Sequence, residues 1–146
     1  MSTITITIKE ESVFSGTEHG SEFISSVENV TSFFERLITI TQTETTLLSF
    51  DAATAGSTFI DDSLKYLRIT NSDTSDNVTL RILGTGKEYF VDIAPQGSFL
   101  LFTDNMDANA TGSQTASLSN IDEIKAAVDA GATPSKTIDV DIFAAA

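Results

Sequence analysis

The side chains of this chain that could do chemistry are mostly carboxylates and hydroxyls. The 146 residues include 21 Asp+Glu, 8 Lys+Arg, one histidine and no cysteine. The missing cysteines exclude a disulfide framework, a thiolate nucleophile and every Cys-ligated zinc or iron–sulfur site. With one imidazole, the chain lacks the usual His ligands of a zinc hydrolase, and a Ser-His-Asp triad would depend on this single histidine. We interpret that imidazole, His19, as a solvated residue of a loop.

Two acidic segments carry the hard oxygen ligands that calcium prefers. They are Asp73-Thr74-Ser75-Asp76-Asn77 and Asp104-Asn105-Met106-Asp107-Ala108-Asn109, which make Asp73, Asp76, Asp104 and Asp107 weak calcium candidates. Neither segment has the glycine and the distal bidentate glutamate of an EF-hand, so we favour solvated turns. The sequence indicates no cofactor and no other metal site.

The remaining motifs also lack the context that chemistry requires. Gly84-Thr85-Gly86-Lys87 resembles part of a phosphate-binding loop, but it lies between two predicted strands and is interpreted as a hairpin turn. Glu10-Glu11 and Asp61-Asp62 are adjacent in sequence, so on a strand they would face opposite sides and could not act across one bond. The chain is therefore not expected to be an enzyme.

Tyr66 and Phe90 lie on the polar phase of their predicted strands and form a candidate interaction surface. They could build a platform for a sugar or for a protein partner. They could also face the second layer of a sandwich, and this is the interpretation we favour.

Charge narrows the possible partners. A net charge of −13 repels phosphate backbones and anionic lipid, so neither nucleic acid nor a membrane is an expected partner. Met1 leads directly into alternating Ser, Thr and Ile, without a basic start or an apolar h-region, so no signal peptide is predicted. The longest apolar runs, such as residues 99–102, are too short to span a bilayer.

Alternation of apolar and polar residues, the pattern of a half-buried strand, is the main structural signal. It begins with Ile4, Ile6 and Ile8 and is then interrupted by a predicted loop over residues 11–20. A short strand follows over residues 23–27. A long strand begins at residue 32 and is expected to continue after Glu44 as far as Phe50.

Four strands are predicted in the central part of the chain. Residues 65–70 and 77–83 are expected to form a hairpin, and residues 87–94 follow a glycine-containing turn. Pro95-Gln96-Gly97 is predicted to turn the chain, with the glycine providing positive φ. The apolar run within residues 98–103 is expected to be covered on both faces.

The C-terminal third is predicted to contain a loop, an ambiguous segment and a final strand. Residues 104–117 are expected to form a surface loop. Residues 120–131 have an Asn cap, early acidic residues and a Gly stop, which favours a short helix, with an irregular strand as the alternative. Alternation returns at Ile138, Val140 and Ile142 in the last strand.

These elements predict an all-β fold, an antiparallel β-sandwich or jelly-roll-like domain with at most one short helix near residues 120–130. A single domain over residues 1–146 is expected. Its residues 1–31 would form an N-terminal strand and loop that could be an arm contacting neighbours. Because the first and last strands would otherwise be exposed edges, they should pair with the body of the sheet or with a neighbouring subunit.

The stretch from Phe34 to Phe102 resembles small structural proteins of tailed bacteriophages, especially marine and cyanobacterial phages. The resemblance is carried by these segments: Glu35-Arg36-Leu37-Ile38-Thr39-Ile40, Leu47-Leu48-Ser49-Phe50, Lys65-Tyr66-Leu67-Arg68-Ile69-Thr70-Asn71, Val78-Thr79-Leu80-Arg81-Ile82, Ala94-Pro95-Gln96-Gly97-Ser98 and the ending Ile138-Asp139-Val140-Asp141-Ile142-Phe143-Ala144-Ala145-Ala146. It covers over half of the chain and consists of strand and turn patterns.

The resemblance implies a virion component without enzyme activity or cofactor, with a β-sandwich or jelly-roll fold. The expected function is an outer capsid decoration, cement or minor head protein, made in the host cytoplasm and located on the particle surface. Its expected partners are the major capsid protein or other virion proteins and further copies of itself. The alternative is a tail-associated module that binds a receptor or a carbohydrate.

Overall fold

The computed structural model describes residues 2–51, 58–60, 63–103, 105–106, 119–129, 131 and 136–146. All the regular elements in these ranges are strands, and the strands pair antiparallel, so the predicted antiparallel all-β fold is confirmed. The described residues contain no helix, hence none that could cross a bilayer. The strands are β1 (Ser2–Phe14), β2 (Thr17–Val30), β3 (Phe33–Ile40), β4 (Thr45–Ser49), β5 (Tyr66–Asn71), β6 (Val78–Gly84), β7 (Lys87–Ile93), β8 (Ser98–Leu101), β9 (Asn105–Met106), β10 (Ser119–Val128) and β11 (Ile138–Ala145).

The chain divides into two compact units, Met1–Ser32 and Phe33–Ala146. The first unit is one long hairpin of β1 and β2, which we call the N-terminal hairpin. The loop predicted over residues 11–20 is wrong, because pairing continues to the last residues of the two strands, Phe14 and Thr17. Only Ser15 and Gly16 lie between these strands, and both have positive φ (52° and 80°), as a type I′ turn requires.

The second unit contains two sheets. Sheet I has the strand order β4-β10-β6-β7, with β9 pairing to β10, and sheet II has the order β3-β11-β5-β8. Alternate residues of the two sheets form one buried cluster, with Leu80 and Ile124 from sheet I and Ile69 and Ile142 from sheet II, all fully buried. This arrangement is consistent with the predicted β-sandwich. The jelly-roll strand order stays a prediction.

Two predicted strand connections are wrong. Strands β5 and β6 do not form a hairpin: β5 pairs with β11 and β8 in sheet II, whereas β6 pairs with β10 and β7 in sheet I. Likewise β3 and β4 are not one long strand, because they belong to different sheets. Each link therefore carries the chain from one layer to the other. Local alternation identifies a strand and its buried face, but it contains no information about which strand lies beside it.

Strand β8 is an edge strand of sheet II rather than a strand covered on both faces. Its Phe99, Leu100 and Leu101 are only partly buried, and the following Phe102 is 47% exposed. The apolar run had suggested burial on both sides. Instead its alternate side chains lie on the inner and outer faces of one sheet, and on both faces they stay partly exposed.

The helix predicted over residues 120–131 is wrong, and the alternative, an irregular strand, is what the chain forms. Strand β10 lies between β4 and β6, and its register to β6 shifts between Ile121 and Glu123. The shift places both Ile121 and Ile124 in the core although they are three residues apart. A bulge in a strand thus reproduces the spacing of a helical face.

The last predicted strand is confirmed and lies inside sheet II, where β11 pairs with β3 on one side and β5 on the other. The predicted turn between β6 and β7 is also confirmed, with Gly84 paired to Lys87 and Gly86 at a φ of 67°. The loop predicted over residues 104–117 lies outside the described residues apart from 105–106, which form the short strand β9.

Candidate functional site

The structure places Tyr66 and Phe90 in different sheets, so they do not form one platform. Tyr66 begins β5 on the outer face of sheet II, and only 6% of it is exposed because Phe102 and Phe143 cover it, with ring centroids 5.4 and 6.0 Å away. This burial raises the pKa of its phenol. Tyr66 is therefore part of an aromatic cluster, and little of its ring is available to a ligand.

Phe90 is exposed on the outer face of sheet I, where 59% of its surface is open. Its cross-strand neighbour is Arg81, whose guanidinium carbon lies 5.9 Å from the ring centroid. Arg81 also binds Glu44 at 3.1 Å and Glu88 at 2.7 Å. Hydrogen bonds to these carboxylates raise the pKa of Arg81. The surroundings of Phe90 are thus polar and internally paired.

The calcium candidates Asp73 and Asp76 do come together, in the turn that links β5 to β6. Asp73 Oδ1 accepts hydrogen bonds from the amides of Ser75 and Asp76 at 2.7 and 2.8 Å. Lys136 Nζ donates to Asp73 Oδ1 at 2.9 Å and also to Asp76 Oδ2. An ammonium group therefore binds both carboxylates.

Electrostatics in this cluster follows from the three hydrogen-bonded charges. The hydrogen bond from Lys136 is the main cause that lowers the pKa of both Asp73 and Asp76, and the turn amides lower that of Asp73 further. The two carboxylates in turn raise the pKa of Lys136. All three groups are therefore held in their charged forms and are poor candidates for proton transfer near neutral pH.

Asn71, the buried polar residue among those described, joins this turn to the neighbouring one. Its Nδ2 donates to the carbonyl oxygens of Asp76, Ile93 and Ala94 at 2.8, 3.2 and 3.2 Å, and its Oδ1 accepts from the amide of Asp73 at 3.0 Å. Alternation alone assigns no role to Asn71. An Asn directly after alternating strand residues is the one signal that could have pointed to it.

The turn after β7 contacts the turn between β5 and β6. The prediction that its glycine provides the positive φ is wrong. Positive φ falls on Gln96 (61°), not on Gly97. Gly97 is required for a different reason, because a Cβ atom there would lie 2.9 Å from the carbonyl oxygen of Ala94. The Gln96 amide donates to the carbonyl oxygen of Asp73 at 2.9 Å, which holds the two turns together.

The N-terminal hairpin is the most exposed element that the structure describes. Every residue from 9 to 24 is exposed, including Val13 and Phe14 at the tip, which are 72% and 74% exposed. His19 lies in β2 opposite Ser12, not in a loop, and Ser12 Oγ donates to its carbonyl oxygen at 3.3 Å. The Ser-Gly pair between alternating segments is the signal that could have predicted this hairpin.

The other acidic candidates contribute no described site. Asp104, Asp107, Asp61 and Asp62 lie outside the described residues. Within the described ranges there is no group of three or more His, Cys, Asp or Glu side chains placed to hold a metal ion. Comparisons with protein-family models, curated proteins and solved structures give no match to this chain.

Proposed function

We propose that this protein is a non-enzymatic structural component of a phage particle, an outer capsid decoration or minor head protein. In this proposal the N-terminal hairpin binds the major capsid protein or another virion protein. We propose a phage particle because residues 34–102 resemble phage structural proteins. We propose a binding role for the hairpin because it is exposed.

A two-stranded hairpin without further support is only marginally stable in water. Here two strands of 13 and 14 residues continue to a two-residue turn, and none of the residues 9–24 is buried. Val13 and Phe14 add large apolar side chains to the tip. Docking on another protein would bury these side chains and would supply the support that the hairpin lacks.

Charge indicates what kind of surface the hairpin fits. Its exposed part contains Glu10, Glu11, Glu18 and Glu22 against Lys9, and the whole chain carries −13. Such an element is repelled by DNA and by anionic lipid. It fits an outward-facing position on a protein shell, with a partner surface that offers an apolar pocket with basic groups around it.

Mass spectrometry of purified particles of the source phage tests the location. The chain should be present in mature particles at a stoichiometric level, and its absence would overturn the proposal.

Co-sedimentation tests the binding role. Recombinant protein is mixed with particles that lack it, and bound protein is measured against concentration. The double variant Val13→Ser, Phe14→Ser should lose at least about tenfold in affinity, the effect of losing one apolar anchor. Phe90→Ser, which removes an exposed aromatic ring from sheet I, is the matched control and should bind like the parent. Equal binding by all three proteins would contradict a role of the hairpin.

A further inference from the structure

One of the two edges of sheet II is formed by β3, which pairs with β11 and with no other strand among the described residues. Such an edge presents unpaired backbone N–H and C=O groups, which a further strand can bind. β3 is eight residues long and exposes two large apolar side chains, Phe33 (71%) and Leu37 (64%). Its two charged residues, Glu35 and Arg36, have opposite signs, so the strand carries no net charge that would repel another copy.

The other edges are better protected. β7 has Glu88 and Asp92 on either side of Phe90 along its outer face. β8 and β4 have only four and five residues. Short strands and outward charges are the usual means by which sheets avoid edge-to-edge pairing. β3 is therefore the available edge of this unit.

We propose that β3 pairs antiparallel with β3 of a second copy of this chain, around a two-fold axis at Leu37. The choice of a second copy follows from charge. Two copies that each carry −13 can approach only where their surfaces are locally neutral. β3 meets this condition, because its charged residues are Glu35 and Arg36, which cancel.

The register follows from the same residues. Opposed residues must lie on the same face of the joined sheet, which excludes every shift by one residue. Pairing centred on Arg36 or on Glu35 would oppose like charges directly. Pairing centred on Leu37 instead places Glu35 opposite Thr39, and Arg36 opposite Ile38. It is the longest register that avoids both repulsions.

The joined sheet would also extend existing surfaces. On the inner face, Phe34 and Ile38 already pack against the core of their own copy, and Phe34 would lie opposite Ile40 of the second copy. On the outer face, the exposed Leu37 side chains would bury each other. The contact is small compared with that of permanent dimers, so a weak, concentration-dependent dimer is expected. This dimer would form from the isolated chain and does not require a particle.

Cysteine cross-linking tests the register directly, since the chain contains no cysteine. In Leu37→Cys, directly opposed residues would have Cα atoms about 4.5–5.5 Å apart, which suits a disulfide. Under mild oxidation this variant should form disulfide-linked dimers at least about tenfold faster than Phe90→Cys, the matched control on the exposed face of another edge strand. Equal rates in the two variants would overturn the proposed register.

Sedimentation equilibrium over a concentration series tests the association itself. The mean molar mass of the parent should rise towards twice the monomer value, more readily at high salt, which screens the repulsion between the acidic copies. Leu37→Lys should stay monomeric with an unchanged circular dichroism spectrum, and Phe90→Lys should behave like the parent. A parent that is monomeric throughout, or a dimer that Leu37→Lys leaves intact, would overturn the proposal.

Discussion

The ammonium nitrogen of Lys136 lies 2.9 Å from Asp73 Oδ1, although the two residues are 63 positions apart in the chain. The same nitrogen donates to Ser75 Oγ at 2.8 Å and to Asp76 Oδ2. It therefore binds the two carboxylates that the sequence marks as weak calcium candidates. This cluster connects the segment before β11 to the turn between β5 and β6, which a local motif cannot indicate.

Lys136→Met should lower the melting temperature at neutral pH and make stability less dependent on acid. The pKa of each carboxyl is lowered below its ordinary value of 3.8. The ionised pair therefore stabilises the fold above that pH, and the stabilisation is lost as the pH falls through the lowered values. Thermal unfolding from pH 7 down to pH 2 should show a steeper loss in the parent than in the variant.

Lys9→Met is the matched control for that comparison. It removes the same charge from an ion pair with Glu11 at 2.7 Å, but 57% of the Lys9 side chain is exposed. Exposed pairs contribute little, so its pH profile should follow that of the parent. Parallel profiles for Lys136→Met and the parent would contradict a stabilising role of the cluster.

Calcium should not bind at this turn in the parent protein. The position between Asp73 and Asp76 is already occupied by a protonated amine, whose pKa is raised by the two carboxylates. A calcium ion would have to displace Lys136 and would then find too few oxygen ligands nearby. In a titration followed by NMR, the amide signals of residues 71–77 should stay in place at millimolar calcium. Saturable shifts confined to these signals would contradict this prediction.

Asn71→Ala should destabilise the protein by about 2 kcal/mol, because it leaves one buried and two partly buried carbonyl groups without their donor. Asn71 is fully buried and bridges Asp76 to Ile93 and Ala94. Urea unfolding followed by circular dichroism measures the difference. Asn77→Ala is the control, since its side chain makes an exposed bond to Asp92, and it should cost less than about 1 kcal/mol. Similar losses in both variants would mean that the bridge is unimportant.

The sequence predicts the positions of strands well because alternation is a local property. Val78, Leu80 and Ile82 of β6 all lie in the core as expected, and so do Ile138 and Val140 of β11. The sequence does not predict which strands pair, because β5 and β6 have similar alternating patterns although they belong to different sheets. It also fails at β10, where one register shift produces a helix-like spacing.

For the candidate functional residues too, local patterns do not predict contacts between distant segments. The favoured interpretation, in which Tyr66 and Phe90 face the second layer of a sandwich, is wrong, because Phe90 is exposed and Tyr66 lies on the outer face of sheet II. The rings of Phe102 and Phe143 that cover Tyr66 come from distant segments and are not visible in a strand pattern. The partner of Asp73 and the role of Asn71 likewise depend on which turns meet at one end of the sheets. Contacts between turns require the whole topology.

Gly97→Ala should destabilise the protein by about 1–3 kcal/mol, the usual cost of forcing an extra group into a packed position. The new Cβ would meet the Ala94 carbonyl oxygen at 2.9 Å and the Ile93 side chain at 3.3 Å. Gly131→Ala is the control because a Cβ there would meet nothing within 4 Å, and its effect should stay within about 0.5 kcal/mol. Urea midpoints decide the comparison, and equal midpoints for the two variants would show that the turn adjusts freely.

Gly20→Ala should open the N-terminal hairpin without unfolding the second unit. A Cβ at Gly20 would overlap the carbonyl oxygen of Glu10 across the strand pair, so the backbones would have to separate. Hydrogen exchange should become faster for the amides of residues 9–22, while those of β6 and β11 keep their protection, because the two units are separately compact. Ser21→Ala, which removes only the hydrogen bond from Ser21 Oγ to Glu10, is the control and should leave exchange in the hairpin nearly unchanged. If Gly20→Ala exchanged like the parent, the close approach of β1 and β2 at this position would be refuted.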